Sequence, residues 1–458
     1  MRSFRRGGPG SLPRAVTLGF ALVITLGGLA LSLPYCSNGH RAPHPLDAFF
    51  TATSATCVTG LVPVDTATQY NWLGQLVTLL LIQIGGLGYM TAGTVLAVML
   101  GRRLYLRRMV LMAGERGEMQ LGDARTMARY IFRFTFLCEG LGAAVLALRF
   151  SRDFPLGKAV AFGIYHAVSA FCNAGFDILG RDFGAFASLG PYAGDPVVTA
   201  AVSLLIIFGG LGFVVVAEVS RKREWASLSA HAKAAIAYTV ILICLGTALF
   251  WALEAGNVRT LGRMSFGRAL ASAYFQSVTP RTAGFSMFAQ EEMRIASVLL
   301  GSVLMFIGAS PGGTGGGIKT TTLAVLLAMV RAFTRGSEEV TLFERRIPVS
   351  TVNKAVGLTL VAGTLVVLAT TILAATEHMI FPITSYAKAP LFLLFEVCSA
   401  FGTVGLSCGV TPNLSAVGKV VIMLTMFAGR VGVLTLLLAA AARRPEKVHF
   451  PEGRIGVG

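Results

Sequence analysis

Four short segments of the chain combine hydroxyl residues with a glycine, a pattern that could bind a dehydrated cation. A turn centred on glycine reaches backbone conformations that other residues avoid, so it can direct successive carbonyl oxygens to one point. Rings of carbonyl oxygens replace the hydration shell of the ion in potassium-channel filters. The segments contain no Asp or Glu, which argues against a site for a divalent cation. They read Ser54-Ala-Thr-Cys-Val-Thr-Gly60-Leu61, Ser169-Ala-Phe-Cys-Asn-Ala-Gly175-Phe176, Ser277-Val-Thr-Pro-Arg-Thr-Ala-Gly284-Phe285 and Ser399-Ala-Phe-Gly-Thr-Val-Gly405-Leu406.

These segments are predicted to form the ion-binding filter for a monovalent cation. A short helix before each turn would direct the negative end of its dipole towards the ion. Four threonine hydroxyls could add oxygen ligands: Thr56, Thr59, Thr282 and Thr403. The predicted filter residues are Thr56, Cys57, Val58, Thr59 and Gly60; Cys172, Asn173, Ala174 and Gly175; Arg281, Thr282, Ala283 and Gly284; and Gly402, Thr403, Val404 and Gly405.

The composition of the whole chain indicates a membrane protein. Of its 458 residues 54% are apolar and only 13% are charged, about half the charged share of a soluble domain. The seven Cys and six His are scattered, so neither a disulfide framework nor a zinc site is expected. The net charge of +17 would suggest nucleic-acid binding in a soluble protein, but long apolar runs favour a membrane and no nucleic acid. The candidate spans are 16–33, 72–100, 130–148, 196–217, 234–253, 295–330, 355–376 and 420–442.

The distribution of Lys and Arg predicts the orientation of these eight spans. The two termini and every second connection hold 24 Lys and Arg in 100 residues, whereas the other connections hold 12 in 169. Cytoplasmic segments carry such an excess of basic residues, so both termini are expected in the cytoplasm. The outer connections have a net charge of only +1, which predicts that filter carbonyls rather than surface charge select the cation.

The even spacing of the four segments predicts an internal repeat of about 115 residues. The expected fold is an all-α polytopic membrane protein with four helix–pore loop–helix repeats, eight transmembrane spans, around a pseudo-four-fold central pore. Irregular backbone at membrane depth is tolerated where it lines a water-filled cavity. The predicted boundaries are a cytoplasmic N-terminus at 1–13, repeats at 14–108, 124–222, 230–335 and 350–442, and a cytoplasmic tail at 443–458.

The second span of the third repeat is predicted to break near mid-membrane. The segment from Pro311 to Gly317 contains one proline and five glycines, and such a stretch cannot hold a straight helix. A nucleotide-binding loop is excluded, because Ile318 separates the last glycine from Lys319 and no strand precedes it. The intramembrane loop, 308–320, should line the pore below the filter. The glycines at 85–88 and 209–212 are interpreted as close helix contacts.

Several charged residues fall inside predicted spans. An intramembrane Arg is costly and faces a cavity or a partner, so Arg430 either caps carbonyl groups or places a positive charge below the filter. Lys319 either lines the gate or reaches towards the cytosol. Glu139 is expected in a buried pair with Arg133 or in a helix–helix contact. Two further buried groups, Glu396 and His166, are interpreted as supports of the pore helices.

Taken in order, the four segments resemble the pore loops of the Trk/Ktr/HKT superfamily of potassium transporters, from about residue 14 to 442. The third and fourth are similar to those of the Ktr-type membrane subunit. The resemblance implies K⁺ uptake through ligands at the filter glycines Gly60, Gly175, Gly284 and Gly405. It also implies gating by the intramembrane loop and Arg430. The implied gating residues are Gly312, Gly313, Thr314, Gly315, Gly316, Gly317, Lys319 and Arg430.

The same resemblance implies partners and location. Such subunits form homodimers in the cell membrane and sit on a cytosolic ring of regulatory subunits that binds ATP or ADP. Membrane lipids are further expected partners, Na⁺ is a candidate activator, and no organic cofactor is expected on this chain.

Other functions stay open at this point. A sodium-permeable or Na⁺-coupled transporter of the same superfamily is the first alternative. A proton-coupled carrier would place carboxylates in its discontinuous helices, and the irregular segments here are uncharged. A membrane enzyme would need a nucleophile with a base, a metal cluster or a cofactor motif, and the sequence offers none of these, so no enzymatic activity is expected.

Overall fold

The computed structural model describes residues 11–40, 42–88, 124–377, 388–432 and 435–436. Each of the four sequence repeats contains a first helix, a shorter pore helix and a second helix. The first repeat comprises α1 (Ser11–Leu31), α2 (Pro45–Cys57) and α3 (Trp72–Gly88). The second comprises α4 (Ala124–Phe150), α5 (Leu156–Phe171), α6 (Pro196–Leu211) and α7 (Phe213–Lys222).

The third repeat comprises α8 (Ala230–Glu254), α9 (Phe266–Val278), α10 (Ile295–Phe306) and α11 (Thr320–Thr334). The fourth comprises α12 (Val349–Thr376), α13 (Ala389–Gly402) and α14 (Ala416–Val431). A two-stranded antiparallel hairpin, β1 (Thr341–Leu342) and β2 (Arg345–Arg346), lies between α11 and α12. Single helical turns occur at Thr66–Gln69 and Gly180–Phe183, and 3-10 turns at Pro34–Cys36, Asn38–His40, Gly190–Tyr192, Gln290–Glu292 and Thr411–Asn413.

The first helix of each repeat has the length and apolarity of a membrane span. These stretches are Arg14–Leu31, Arg129–Phe150, Ala230–Glu254 and Val349–Thr376. Large side chains on them, Leu22, Leu141, Leu245 and Leu368, are each more than half exposed, as expected for helices that face lipid. Among the described residues a fifth span is obtained if α6 and α7 count as one, so the eight-span arrangement stays a prediction.

The second span of the second repeat is bent, which corrects the expectation of one uninterrupted run over 196–217. The axes of α6 and α7 differ by 94°, and Gly212 between them has φ +86°. A Cβ at this position would lie 2.5 Å from the carbonyl oxygen of Pro311, so both conformation and space demand glycine. Gly432 ends α14 with nearly the same dihedrals, φ 87° and ψ 129°.

Two helices, α10 and α11, stand where the third repeat has its second span, and the loop between them is shifted by one residue from the predicted 308–320. Helix α10 ends at Phe306 and α11 begins at Thr320, so the loop spans 307–319. Two hydrogen bonds hold the ends of the loop together: Gly308 N donates to the Ile318 carbonyl at 2.8 Å, and Ile318 N donates to Phe306 at 3.1 Å. These bonds join the end of α10 to the residue just before Lys319 and α11, so the loop is closed at its base.

The second helices pack closely against the carboxyl ends of the pore helices. Three glycines have no room for a side chain because a pore-helix carbonyl oxygen faces them: Gly85 opposite Thr56, Gly209 opposite Phe171, and Gly429 opposite Phe401. This confirms that the glycines at 85 and 209 allow close helix contact. It does not explain Gly212, whose positive φ bends the span. The predicted tail at 443–458 and residues 1–10 of the predicted N-terminus lie outside the described residues.

Candidate functional site

The four turns that follow the pore helices share one backbone conformation. In each, a non-glycine residue with positive φ stands two positions before a glycine with positive φ. The first residues are Val58, Asn173, Thr282 and Thr403, with φ between 50° and 71°, and the glycines are Gly60, Gly175, Gly284 and Gly405, with φ between 67° and 103°. Positive φ is uncommon outside glycine, so its fourfold recurrence at the same place marks four equivalent turns.

The four glycines meet in a closed ring. A Cβ added to any of them would strike the carbonyl oxygen that precedes the next glycine: Gly60 faces Ala174, Gly175 faces Ala283, Gly284 faces Val404, and Gly405 faces Thr59. The order of contacts follows the order of the repeats and returns to the first. Four carbonyl groups therefore stand around one axis, and a side chain at any of the four positions would disturb the ring.

Hydroxyl groups at the ends of the pore helices hold the turns. Ser54 Oγ accepts from Gly60 N and Ser399 Oγ accepts from Gly405 N, both at 3.0 Å. In the second turn Ser169 Oγ donates to the carbonyl of Phe176 at 2.8 Å. These hydrogen bonds fix the turn without using any atom that faces the axis.

In the third turn the equivalent hydroxyl belongs to Thr279, and not to Ser277 as the sequence alignment suggests. Thr279 Oγ1 donates to the carbonyl of Phe285 at 2.6 Å, the same kind of bond that the second turn makes. Ser277 Oγ instead donates to the carbonyl of Ile243 on α8 at 2.8 Å. Thr279 stands five positions before Gly284, whereas Ser54, Ser169 and Ser399 each stand six before their glycines, so the third turn is one residue shorter between hydroxyl and glycine.

The threonine hydroxyls of the filter are not all available to an ion. Thr282 Oγ1 accepts from Asn173 Nδ2 at 3.0 Å, and Thr403 Oγ1 accepts from Gly316 N at 3.0 Å. Thr56 Oγ1 and Thr59 Oγ1 are buried and, within the described residues, have no hydrogen-bond partner. Of the four predicted hydroxyls, two bind other protein groups in this conformation and two do not.

A cavity of about 420 Å³ opens on one face of the glycine ring, and all four glycines line it. Its lining includes the carboxylates of Asp177 and Glu291 and, among the residues that the structure describes, no basic side chain. The overall charge of the outer connections is near neutral, but two carboxylates line the cavity next to the glycine ring, where they would attract cations. The prediction that filter carbonyls rather than surface charge select the cation stays a prediction.

The loop 307–319 lies against the opposite face of the ring. Thr314 Oγ1 donates to the carbonyl of Phe171 at 3.2 Å and lies 3.1 Å from Asn173 Oδ1. Gly316 N reaches Thr403, and Gly315 lies so close to Thr282 that a Cβ would not fit. The loop thus contacts the second, third and fourth turns on the face of the ring opposite the cavity.

Arg430 connects this loop to the first repeat. Its side chain is 1% exposed. Nη1 donates to the carbonyl of Thr314 and Nη2 donates to the carbonyl of Gly85 at 2.7 Å. Arg430 therefore caps carbonyl groups, one of which belongs to the loop. The second interpretation, a positive charge below the filter, stays a prediction.

Two further basic side chains also contact the loop. Lys319 Nζ donates to the carbonyls of Gly315 and Gly316 at 2.6 and 3.2 Å, so it lines the loop rather than reaching towards the cytosol. Arg281, predicted in the filter, directs Nη2 away from the ring to the carbonyl of Gly308 at 3.4 Å. Its own carbonyl accepts from Asn173 Nδ2 at 3.2 Å.

The predicted pair of Glu139 with Arg133 is wrong, because Arg133 is exposed. The alternative, a helix–helix contact, is confirmed: Gln83 Nε2 on α3 donates to both Glu139 oxygens at 3.2 Å. Glu396 accepts from Ser407 Oγ at 2.8 Å and so braces its pore helix.

His166 lies among aromatic rings and shares a hydrogen bond of 2.8 Å with the Phe162 carbonyl, which fits the predicted supporting role. In the described part of the chain no cluster of His, Cys, Asp or Glu has the arrangement of a metal site. The glycine ring offers backbone carbonyl oxygens, the kind of ligand that replaces the hydration shell of a potassium ion in channel filters.

Fold and site define a class of protein: a helical membrane protein in which four equivalent turns enclose one axis. The profile of the TrkH family, described as a cation transport protein, matches residues 28–450. Sequence relatives cover almost the whole chain. The Ktr system potassium uptake protein B of Bacillus subtilis is 36% identical over 97% of this chain and 96% of its own length. The potassium/sodium uptake protein NtpJ of Enterococcus hirae is 38% identical over 97% and 96%. The chain belongs to the TrkH family of cation transport proteins.

A solved structure supports the fold independently. The crystal structure of the potassium transporter TrkH from Vibrio parahaemolyticus matches with a TM-score of 0.74, covering 96% of this chain and 87% of that chain. The two sequences are only 18% identical, so this likeness shows the fold and nothing finer.

Proposed function

We propose that this protein takes up potassium across the cell membrane through the glycine ring. The observation that carries the proposal is the closed cycle of contacts in which each glycine faces the carbonyl before the next. The carbonyls of Thr59, Ala174, Ala283 and Val404 would replace the hydration shell of K⁺. Two relatives support this ion, since one is named a potassium uptake protein and the other a potassium/sodium uptake protein.

The loop 307–319 is the proposed gate. It contacts three of the four turns, and Arg430 ties it to the first repeat. An ion leaving the filter would meet this loop and its basic groups, so conduction requires the loop to move aside. The complete pore would comprise eight spans in four repeats, with both termini in the cytoplasm as the basic residues predict.

The partners proposed for this function come from the relatives and not from the geometry. The name Ktr system describes an assembly with more than one component, and we propose a homodimer on a cytosolic ring that binds ATP or ADP. The ring would act on the loop 307–319 through the cytosolic connections. Purification of the native complex tests this, and a membrane subunit that always purifies without a soluble partner would contradict it.

A second candidate is a sodium-permeable transporter, or one that Na⁺ activates. One relative favours this candidate, because its name describes it as a potassium/sodium uptake protein. Glycine at all four ring positions argues for potassium, because no side chain narrows the ring. Competition of Na⁺ with K⁺ during rubidium uptake into liposomes distinguishes a sodium-permeable transporter from a potassium transporter.

Rubidium uptake into liposomes containing the purified protein tests the filter. In Gly405→Ser a Cβ would meet the Thr59 carbonyl in the ring. The added strain predicts a loss of uptake of about tenfold or more. Gly336→Ala is the matched control, because Gly336 also has positive φ, +64°, but nothing lies within 4 Å of its Cβ position. Equal uptake by the two variants would contradict the filter assignment.

A further inference from the structure

Two adjoining cavities lie between α7, α8, α11, α12 and the β-hairpin, away from the pore axis. The first measures about 450 Å³ and is lined by three basic side chains, Lys222, Lys233 and Arg345, with Glu344 the single acidic one. The second measures about 350 Å³, and most of its wall is apolar. Both cavities are lined by Ala230, the first residue of α8. A basic chamber and an apolar chamber therefore meet at one helix end.

The basic chamber is built rather than accidental. Lys222 Nζ is held by the carbonyl of Ser227 and by Glu218, both at 2.8 Å, and Lys233 Nζ by the carbonyl of Ala226 at 3.1 Å. These bonds fix two ammonium groups on the wall. The amino end of α8, a helix of 25 residues, adds its positive dipole.

The hairpin supplies the third cation. Within the described residues Arg345 makes no ion pair, whereas the next residue, Arg346, pairs with Glu339 at 2.9 Å. Glu218, paired with Lys222, and Glu344 offset two of the three cations, so the chamber keeps a net charge of about +1 that an anion would complement.

The apolar chamber continues from this positive end along the helices. Its lining includes Val325 of α11, Ala355 and Leu358 of α12 and Ile347 after the hairpin, with Lys354 and His231 as its basic members. Free phosphate would satisfy the cations and leave this volume unused. A neutral lipid would fill the volume and leave the cations without a counter-charge. A molecule with an anionic head and an apolar tail satisfies both chambers.

We propose that the cavities bind one anionic phospholipid, with its phosphate in the basic chamber and an acyl chain in the apolar chamber. The surrounding connections, 218–233 and 331–354, are among those whose Lys and Arg predict the cytoplasmic side. Anionic headgroups are attracted to basic sites on that side.

The site also adjoins the proposed gate. Thr321 and Thr322 line the apolar chamber, and α11, on which they lie, begins directly after Lys319 of the loop. An acyl chain there would contact the helix that carries the loop. This consequence rests on the proposed function, whereas lipid binding itself does not.

Native mass spectrometry of the full-length purified protein, titrated with phosphatidylglycerol, tests the proposal. Arg345→Gln is expected to weaken binding about fivefold, because one basic group near an anionic headgroup is lost. Arg346→Gln is the matched control, since it removes the same charge from the neighbouring position, and its affinity should equal that of the unmodified protein. Equal effects of the two substitutions would overturn the proposal.

Two other ligands show whether the site binds a phospholipid or a free phosphate compound. Phosphatidylcholine should bind more weakly than phosphatidylglycerol, and glycerol phosphate, the headgroup without chains, more weakly still. Thr351→Phe, which adds bulk on the wall of the apolar chamber, should weaken phosphatidylglycerol and leave glycerol phosphate unchanged.

If glycerol phosphate binds as tightly as phosphatidylglycerol, the cavities are a site for a soluble anion instead. If phosphatidylcholine and phosphatidylglycerol bind equally, the negative charge of the lipid does not contribute to binding. Either result would overturn the lipid assignment and leave the transport proposal untouched, because no flux is measured.

Discussion

Arg430 donates a hydrogen bond to the carbonyl of Thr314, so a buried cation of the last helix holds the loop that lies under the glycine ring. The same guanidinium reaches Gly85 in the first repeat. Arg430 stands where the first two repeats have Gly86 and Gly210. At this position the fourth repeat thus has a long basic side chain, which joins the loop to the first repeat, where the first two repeats have glycine.

Replacing Arg430 by Gln should loosen the loop and raise basal rubidium flux. Loss of a charged hydrogen bond is worth about 1.5–3 kcal/mol, which corresponds to an increase in the open fraction of about tenfold or more. The flux is measured in liposomes without any soluble partner.

Arg331→Gln is the control for Arg430→Gln, since Arg331 is exposed in the last turn of α11 and its loss removes the same charge. Melting temperatures show whether both variants fold. An Arg430→Gln protein that folds and conducts no faster than Arg331→Gln would contradict the gate assignment.

Thr279→Ala and Ser277→Ala form a matched pair for the third turn. Thr279 spans the turn by its bond to Phe285, so its loss should impair discrimination of K⁺ against Na⁺. Ser277 bonds α8 outside the turn, so its loss should leave selectivity unchanged. Sodium inhibition of rubidium uptake measures both, and the reverse order of effects would show that the turn depends on Ser277.

Glu291→Gln should raise the K⁺ concentration needed for half-maximal uptake at low ionic strength, by about two- to threefold, and the difference should vanish in high salt. Its carboxylate lines the cavity above the glycine ring. Glu292→Gln is the control, because Glu292 pairs with Arg259 at 2.7 Å and does not line the cavity. An effect that persists in high salt would indicate a structural change instead of electrostatic attraction.

Much of the site could be predicted from local sequence because the four turns repeat. The recurrence of Gly60, Gly175, Gly284 and Gly405 locates the ring, and the run from Pro311 to Gly317 locates the break in the helix. Both depend on backbone conformation, which glycine and proline determine locally. The family profile and the matched structure confirm the class of fold.

What the sequence did not yield depends on contacts between distant segments. The position of Thr279 was missed because Ser277 and Thr279 stand seven and five positions before Gly284, neither at the spacing of six in the other turns, and only the bond to Phe285 identifies Thr279. The partner of Glu139 was missed because Gln83 lies on another helix. The bend at Gly212 could have been found, since Gly432 ends an equivalent motif in the fourth repeat.

The acidic cavity was missed for a different reason. The net charge of the outer connections averages over all of them, and most of the charges lie away from the ring. Only the fold shows that Asp177 and Glu291 line the cavity while no basic residue does.

Anomalous diffraction from crystals grown in rubidium tests the central claim most directly. The account predicts a peak on the axis of the glycine ring, surrounded by the carbonyl oxygens of Thr59, Ala174, Ala283 and Val404, and its loss in Gly405→Ser crystals. Rubidium found only beside Asp177 and Glu291, with none at the ring, would contradict the assignment of the four turns as the filter.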